Sequence, residues 1–586
     1  MKKIVLTILM ALTALPALAG EYYPELRQAM RDEIKRSMSE LHMEDLENPY
    51  YIEYKITIMD MYGCRAISGE LVEKNKTQRA KLDVLVRVGD YEFDNTNFFD
   101  VGVSFFGSGD DEESFTGRSI SPIVNYPVLR RELWLATDAA YKRAAEAYSK
   151  KKAAIKNRMR KDTTHDFIYV EPEINFDIEE YPEFNFDEMS ETVSAAAAKF
   201  RLVNDIHTSR VTFEYNPNTI IFVNSEGREY VKNRFYTGIE MIAGTQSDDG
   251  MPIYNYYSAY GKYTDDLPGR DSLLSEADNL IKKTVTLKHS EFLEDTYVGP
   301  VIFEDQAAAE LLAQAFAPNL VAQRQPLTDG GFTQEQFTAF QRKIGGRVLP
   351  EFMSVYAKPQ MNKYEGTPLV ANYKIDDDGI EAENVILVKD GYLKNLLSDR
   401  VPTKRVRESN GHKRGGSPIL SNIIFEGSDD EKVKSISEMR ERMMELCKAR
   451  ELPYGLIIKR VMNINVFITG VYPAFYGDLD MQFGNSDITL LEVYKLYPDG
   501  REEPVRGARA AGFSEQSFKD IIAVNGKKYV HNYLAPAVVS SFISQGDPYV
   551  ACSIVTPGLL FEDAEIRMID EDFRKPPLIS KPAVNN

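Results

Sequence analysis

Cysteine is scarce in this sequence, and its scarcity excludes two kinds of structure. The 586 residues include three cysteines, Cys64, Cys447 and Cys552. They lie too far apart to form a C-x-x-C metal knuckle or a disulfide framework. In an oxidising compartment one thiol must stay free, and burial would keep it unreactive. We therefore predict that all three are small side chains of the core.

An excess of basic residues is also lacking. The formal net charge is −19, which argues against nucleic acid as a partner because duplex binding needs lysines and arginines to displace phosphate counterions. The one basic stretch, at 142–161, is interpreted as a solvated helix face rather than a nucleic-acid or membrane patch. No apolar run reaches the ~20 residues needed to cross a bilayer, so no membrane span is expected.

The N-terminus has the pattern of a secretory signal peptide. Two lysines precede an apolar run from Ile4 to Leu15, and an A-x-A pattern ends at Ala19. The run is too short for a membrane anchor. We predict that residues 1–19 are removed and that the mature protein is exported to the periplasm or the extracellular space.

The remaining chain is too long for one compact domain, because hydrophobic cores usually stop growing near ~250–300 residues. We predict an N-terminal α+β region at 20–297, with an extended connector near 165–188. A strand-rich C-terminal domain at 298–570 and a flexible tail at 571–586 complete the predicted organisation. Helices and strands mix without a regular β-α-β order, so the predicted fold class is α+β.

The spacing of apolar residues predicts the individual elements. Helices are expected at 21–41, from Pro127 onward, and at 187–200, 272–283, 306–317 and 435–450. Strands are expected at 50–61, 69–74, 80–91, 208–215, 219–224, 301–303, 352–357, 385–388, 456–469 and 488–497.

The sequence lacks the common catalytic motifs. It has no H-E-x-x-H, no G-x-S-x-G and no Walker loop. No two of its six histidines lie within one helical turn of each other. The run Asp376 to Gly379 fails the EF-hand pattern because Lys374 stands at the first ligand position. We predict a hairpin turn there rather than a calcium site.

Several short motifs occur together in the order typical of one peptidase family. They are Val301–Leu312, Gly366–Leu369, Tyr373–Gly379, Leu387–Lys394, Pro504–Ala508 and Ser544–Pro548, with Val86–Asp90, Asp94–Asn97 and Asn224–Gly227 in the N-terminal half. The first resembles the strand and zinc-helix entry of the TldD/PmbA family of metallopeptidases. Because these motifs occur in the same order as in that family, the chain is identified as a member over most of its mature length. The resemblance implies a two-part TldD/PmbA-like architecture.

The chain departs from that family where active members bind zinc. Active TldD-type members resemble one another in an H-E-x-x-x-H helix, in which two imidazoles hold zinc and the glutamate is the general base. The resemblance places these three positions at Ala313, Gln314 and Pro318. A methyl group and a proline ring offer no electron pair to a metal, and an amide cannot take up a proton near neutral pH.

The family's cysteine ligand is missing as well, since no cysteine lies between Tyr529 and Val538. The resemblance therefore implies a chain with no metal or other cofactor of its own. The PmbA-like branch also lacks the zinc motif and is understood to pair with a TldD-like subunit that carries zinc. Our first hypothesis is that this chain is such a non-catalytic subunit, or a self-dimer, which holds extended peptides by edge hydrogen bonds.

Two further hypotheses stay open. The chain could be a stand-alone exported peptide- or glycan-binding protein with a tyrosine-rich binding face. The alternative is that these tyrosines pack a pair of strands. The tyrosines are Tyr254, Tyr256, Tyr257, Tyr260 and Tyr263. It could also be an active metallopeptidase with a relocated metal site, formed where His412 and His531 meet Asp478 or Asp480.

Overall fold

The computed structural model describes residues 22–44, 46–99, 118–123, 125–156, 163–180, 182–324, 326–328, 339–471, 487–538, 547–573, 575 and 577. The predicted signal peptide at 1–19 and most of the predicted tail lie outside these residues. Within the described ranges, no helix combines the length and the apolar character needed to cross a bilayer.

The N-terminal half is built on one nine-stranded sheet. Its strands are β1 (Pro49–Ile67), β2 (Glu70–Val88), β4 (Arg118–Ile120), β5 (Ile174–Asp177), β6 (Thr208–Tyr215), β7 (Asn218–Asn224), β8 (Glu229–Arg234), β9 (Thr237–Gln246) and β10 (Pro252–Gly261); β3 (Phe98–Phe99) lies outside the sheet. The strand order is β10-β9-β6-β1-β7-β8-β5, with β2 beside β1 and β4 beside β2. All pairs are antiparallel except β5 with β8.

Four helices cover one face of this sheet: α1 (Pro24–Glu40), α2 (Tyr126–Lys156), α3 (Phe186–Arg201) and α4 (Arg270–Lys288). Side chains alternate across a strand, so even-numbered residues of β1 such as Ile56 and Cys64 pack against the helices. The opposite face of the sheet, which carries the odd-numbered side chains of β1, is turned toward the C-terminal half. On that face Ile242 of β9 and Tyr256 of β10 pack on Met462. The sheet therefore has a helix-covered face and a face that meets the second half.

The C-terminal half is a thirteen-stranded mixed sheet with the order β11-β25-β24-β23-β12-β28-β21-β14-β17-β18, to which β22, β26 and β27 are attached. Its strands are β11 (Glu291–Phe292), β12 (Tyr297–Phe303), β14 (Met353–Ala357), β17 (Val385–Lys389), β18 (Tyr392–Leu393), β21 (Asn422–Gly427), β22 (Val433–Lys434), β23 (Gly455–Val461), β24 (Ile488–Leu496), β25 (Glu502–Arg506), β26 (Ala508–Ala510), β27 (Ile521–Pro536) and β28 (Tyr549–Met568).

Among its described residues, three α-helices and several two-residue strands complete the C-terminal half. The helices are α5 (Asp305–Leu311), α6 (Ile436–Ala449) and α7 (Ile464–Val466). The short strands form small ladders outside the main sheet: β13 (Leu327–Thr328) pairs with β3, and the others are β15 (Lys363–Tyr364), β16 (Thr367–Pro368), β19 (Lys413–Arg414) and β20 (Ser417–Pro418). The fold is thus α+β with a strand-rich C-terminal half, as the sequence predicts.

Three local predictions differ from the structure. The strands expected at 69–74 and 80–91 are one strand, β2, because the β1–β2 ladder continues through exposed polar residues that interrupt the apolar pattern. The strand expected at 456–469 ends at Val461 and is followed by helical turns, which Asn463 caps by accepting from the backbone N–H of Val466 at 3.1 Å. The extended connector contains β5, which joins the sheet beside β8.

The basic stretch is only partly the solvated face that its composition predicts. Lys142 pairs with Asp138 on the exposed side of α2, whereas the side chain of Lys151 is buried. Its ammonium donates to the buried carboxylate of Asp166 at 2.6 Å and to the backbone carbonyl of Asp94 at 2.9 Å. Lys151 is therefore part of the interior, and the prediction was wrong for this residue.

Candidate functional site

The segment where active relatives carry their zinc helix is a buried helix that changes its pitch twice. Helix α5 is followed by a π-helical turn at Leu312–Phe316 and then by a 3-10 turn at Ala317–Leu320. Pro318 lacks a backbone N–H and cannot continue an α-helix, which accounts for the tighter final turn. The alanines Ala307, Ala308 and Ala309 lie in the core, where small side chains let the helix approach the sheet closely.

The three positions matched to the zinc motif take part in packing and hydrogen bonding. Ala313 and Pro318 are buried side chains of this segment. Gln314 donates from Nε2 to Oε1 of Glu310 at 2.9 Å and to the carbonyl oxygen of Met462 at 2.7 Å. The donors that a zinc ion needs are absent at these positions, so the residues present do not fit the metal that the family motif implies.

Glu310, one helical turn before Gln314, is the centre of a buried polar cluster. Besides the amide of Gln314, its carboxylate contacts Nε2 of His531 at 2.8 Å. Both carboxylate oxygens also accept from Nδ2 of Asn463, at 3.2 and 3.1 Å. Glu310 is 1% exposed and His531 6%, so the cluster is closed to bulk water. It joins helix α5 to strand β27 and to the segment after β23.

The motif search missed Glu310, although one signal for it exists. It is the single ionisable residue between Gln306 and Gln314, in a stretch of alanines and leucines. An acid on a helix that is apolar on all sides must be buried, and a buried charge needs partners. Those partners come from segments about 150 and 220 residues away, which periodicity along the chain cannot identify.

Only two of the four residues suggested for a relocated metal site lie among the described residues. Asp478 and Asp480 lie outside the described residues. His531 contacts Glu310, while His412 is bonded elsewhere: its Nδ1 lies 2.9 Å from the carbonyl oxygen of Asn410 and its Nε2 lies 3.3 Å from Oγ of Ser421. In the ranges that the structure describes, no three His, Cys, Asp or Glu side chains are grouped closely enough to hold a metal ion.

Burial lowers the pKa of His412 to about 3, and this shift predicts an acid-sensitive term in stability. The unfolded chain protonates this histidine near pH 6.5, so between about pH 6.5 and 3 it binds one more proton than the folded chain. Stability is therefore lost as the pH falls through this window, by up to about 1.4 kcal/mol per pH unit. We expect chemical denaturation between pH 7 and 5 to show a shallower pH slope for His412→Gln; equal slopes would contradict the shift.

The Asp376 to Gly379 run forms the predicted turn, but the turn is buried. Ile375 and Glu381 bridge its ends, and Gly379 has φ +73°, which favours glycine. Asp377 pairs with Lys232 of β8 at 2.9 Å, and Asp378 pairs with Lys413 at 2.7 Å. Burial opposes ionisation, yet the nearby cations hold the pKa of Asp377 well below its ordinary range. The run is thus an ionic contact between the two halves.

The tyrosine-rich segment belongs to β10 and the turn after it, and its members pack. Tyr256 and Tyr260 are at most 5% exposed. Tyr256 donates to the carbonyl oxygen of Val461, and Tyr260 donates to Glu240. The three cysteines are buried and unpaired, as predicted.

The fold defines the class of protein: a two-part α+β protein whose second half packs a buried helix against a mixed sheet. Residues 296–567 match the family model described as PmbA/TldA metallopeptidase C-terminal domain. The C-terminal half of the chain, over these residues, therefore belongs to the TldD/PmbA family, as its motifs indicate.

Solved structures share this architecture. TldE from Thermococcus kodakarensis is 12% identical, covers 92% of this chain and 100% of its own, and gives a TM-score of 0.55. A candidate modulator of a DNA gyrase from Thermotoga maritima is also 12% identical, with 93% and 100% coverage and a TM-score of 0.55. One from Bacteroides thetaiotaomicron is 10% identical, with 93% and 99% coverage and the same TM-score. At these identities the likeness shows the fold alone. No curated protein sequence matches the chain.

Proposed function

We propose that this chain is an exported member of the family without its own zinc, which serves as a non-catalytic subunit or peptide-binding partner of an active TldD-like peptidase. The supporting observation is Gln314. It stands where the family motif has its general base, and its amide nitrogen donates to Glu310 and to the carbonyl of Met462. The side chain is thereby fixed as a structural link.

The proposal predicts that the purified chain holds no stoichiometric zinc and cleaves no peptide by itself. The physical reason is that Ala313, Gln314 and Pro318 supply neither a zinc ligand nor a proton acceptor. Metal content is measured by mass spectrometry after incubation with zinc and dialysis, and cleavage is followed with a mixture of unlabelled peptides. One zinc per chain together with cleavage that a chelator stops would overturn the proposal in favour of a relocated metal site.

The partner is tested in the native cell fraction. A tagged chain expressed with residues 1–19 is expected in the periplasmic or secreted fraction and is expected to recover a chain with an intact H-E-x-x-x-H motif. The mixture should cleave peptides that neither chain cleaves alone or at the same rate. A monomer by light scattering that recovers no such chain would support the stand-alone peptide- or glycan-binding alternative.

A further inference from the structure

A cavity of about 360 Å³ lies between the N-terminal sheet and the C-terminal half. One wall is the face of β1, β6, β9 and β10 that is turned away from the helices. The opposite wall includes Asn465, Thr469 and Leu534. The cavity is lined by residues of both halves and is separate from the Glu310 cluster, none of whose members line it.

Gly63 leaves room beside one carboxylate on the sheet wall, whereas the space at Gly238 is filled by the side chains of Tyr260 and Tyr236. Gly63 of β1 and Gly238 of β9 are both register partners of Glu214 in β6. A Cβ atom added at Gly63 would meet only the carbonyl oxygen of Phe213, at 3.9 Å. Because cross-strand partners point to the same side of a sheet, the space at Gly63 lies directly beside the Glu214 side chain.

The charged groups of the cavity are incompletely paired. Arg65 and Glu73 form an ion pair at 2.6 Å. Glu240 accepts from the hydroxyl of Tyr260 at 2.6 Å, but neither Glu214 nor Glu240 has a cationic nitrogen within 4.0 Å in the part of the chain that the structure describes. Desolvation raises the pKa of both carboxyl groups, and the nearby Arg210 offsets this only in part.

Arg210 supplies an unused donor in the same cavity. Its guanidinium donates to the carbonyl oxygen of Thr469 on the opposite wall. Its Nε is buried and has no hydrogen-bond partner among the described residues. Arg210 also lines the cavity, so its guanidinium offers N–H donors to an acceptor placed there.

These groups match the amino end of a peptide. A primary ammonium carries three donors and a positive charge for Glu214 and Glu240, and the carbonyl oxygens that follow it in a peptide are acceptors for Arg210. The volume suits a few small residues. We propose that this cavity binds the free amino terminus of a short peptide, with the ammonium on the two glutamates and the first carbonyl groups toward Arg210. This inference rests on the proposed peptide-binding function and specifies which end is recognised.

Calorimetric titration of the mature full-length chain with three forms of trialanine tests the inference. The free peptide is expected to bind. N-acetyl-trialanine is expected to bind about 10- to 100-fold more weakly, because acetylation removes a charge-assisted contact. Trialanine amide, altered only at the carboxyl end, should bind within about threefold of the free peptide.

Two variants and one control place the peptide in this cavity. Glu240→Gln keeps an oxygen for the hydroxyl of Tyr260 but removes the charge, and it should weaken binding about tenfold. Gly63→Leu fills the space beside Glu214 and should abolish binding. Glu441→Gln, an exposed residue of α6, should leave binding unchanged. Thermal melting verifies that each variant is folded.

Equal affinity for free and acetylated trialanine would overturn the inference, as would binding that neither cavity variant changes or an absence of binding. These outcomes are separable from the proposed subunit function. Zinc content and partner recovery do not depend on the cavity, so a Glu240→Gln chain that still recovers its partner tests the two independently. Amino-end-specific binding without any partner would refute the subunit role alone.

Discussion

Replacement of Arg400 by methionine is expected to lower the free energy of unfolding by about 3–5 kcal/mol. Arg400 is fully buried. Its NH1 and NH2 groups donate to the two carboxylate oxygens of Glu226 at 2.8 and 2.6 Å, and its Nε and NH2 groups donate to the carbonyl oxygen of Ile168 at 2.9 and 2.6 Å. Methionine fills similar space but leaves a buried carboxylate without its cation. Equilibrium denaturation in urea measures the change.

The matched control for Arg400 is an exposed ion pair. Arg442→Met removes the contact with Glu445 on the surface of α6, where both side chains are more than half exposed, and should change stability by less than about 0.5 kcal/mol. The double variant Arg400→Met with Glu226→Leu should cost clearly less than the two single changes added together, because it leaves no unpaired charge. Equal effects of Arg400→Met and Arg442→Met would show that the buried ion pair contributes no more to stability than the exposed one.

The local spacing of apolar residues predicts most of the helices and strands in this chain, because it reflects which side of each element is buried. Strand β6 is the clearest case: alternate apolar residues Val211 and Phe213 lie on the helix side, and Arg210 and Thr212 lie on the cavity side. The failure at 456–469 shows the limit of periodicity. Val466 fits a strand pattern equally well. In the structure it lies in helix α7 and packs against Tyr256 of the N-terminal half.

The resemblance places the zinc-motif positions in one continuous segment, directly after a leucine pair. The polar cluster around Glu310 could not be located in the same way, since Asn463 reaches it from the segment after β23 and His531 reaches it from β27. The hydrogen bond between Glu310 and Gln314 is the exception, because residues four apart meet on one face of a helix. Even that contact depends on Met462, whose carbonyl oxygen holds the same amide.

Glu310→Ala is expected to destabilise the protein by about 3–5 kcal/mol. The substitution leaves the amides of Gln314 and Asn463 and the imidazole of His531 with fewer partners in a site closed to water. Glu310→Gln should cost less, because an amide keeps one acceptor oxygen. Glu441→Ala on the exposed face of α6 is the control and should shift stability by less than about 0.5 kcal/mol.

The comparison of these variants separates a structural cluster from a metal site. If Glu310, His531 and Gln314 hold the helix to β27, zinc should leave the denaturation midpoint of the native chain unchanged, because a ligand stabilises a protein only when it binds the folded state. Loss of Glu310 should then lower the midpoint equally with zinc and with a chelator. A midpoint of the native chain that rises with zinc, and no longer does so in Glu310→Ala, would instead identify the cluster as a metal site and refute its structural assignment.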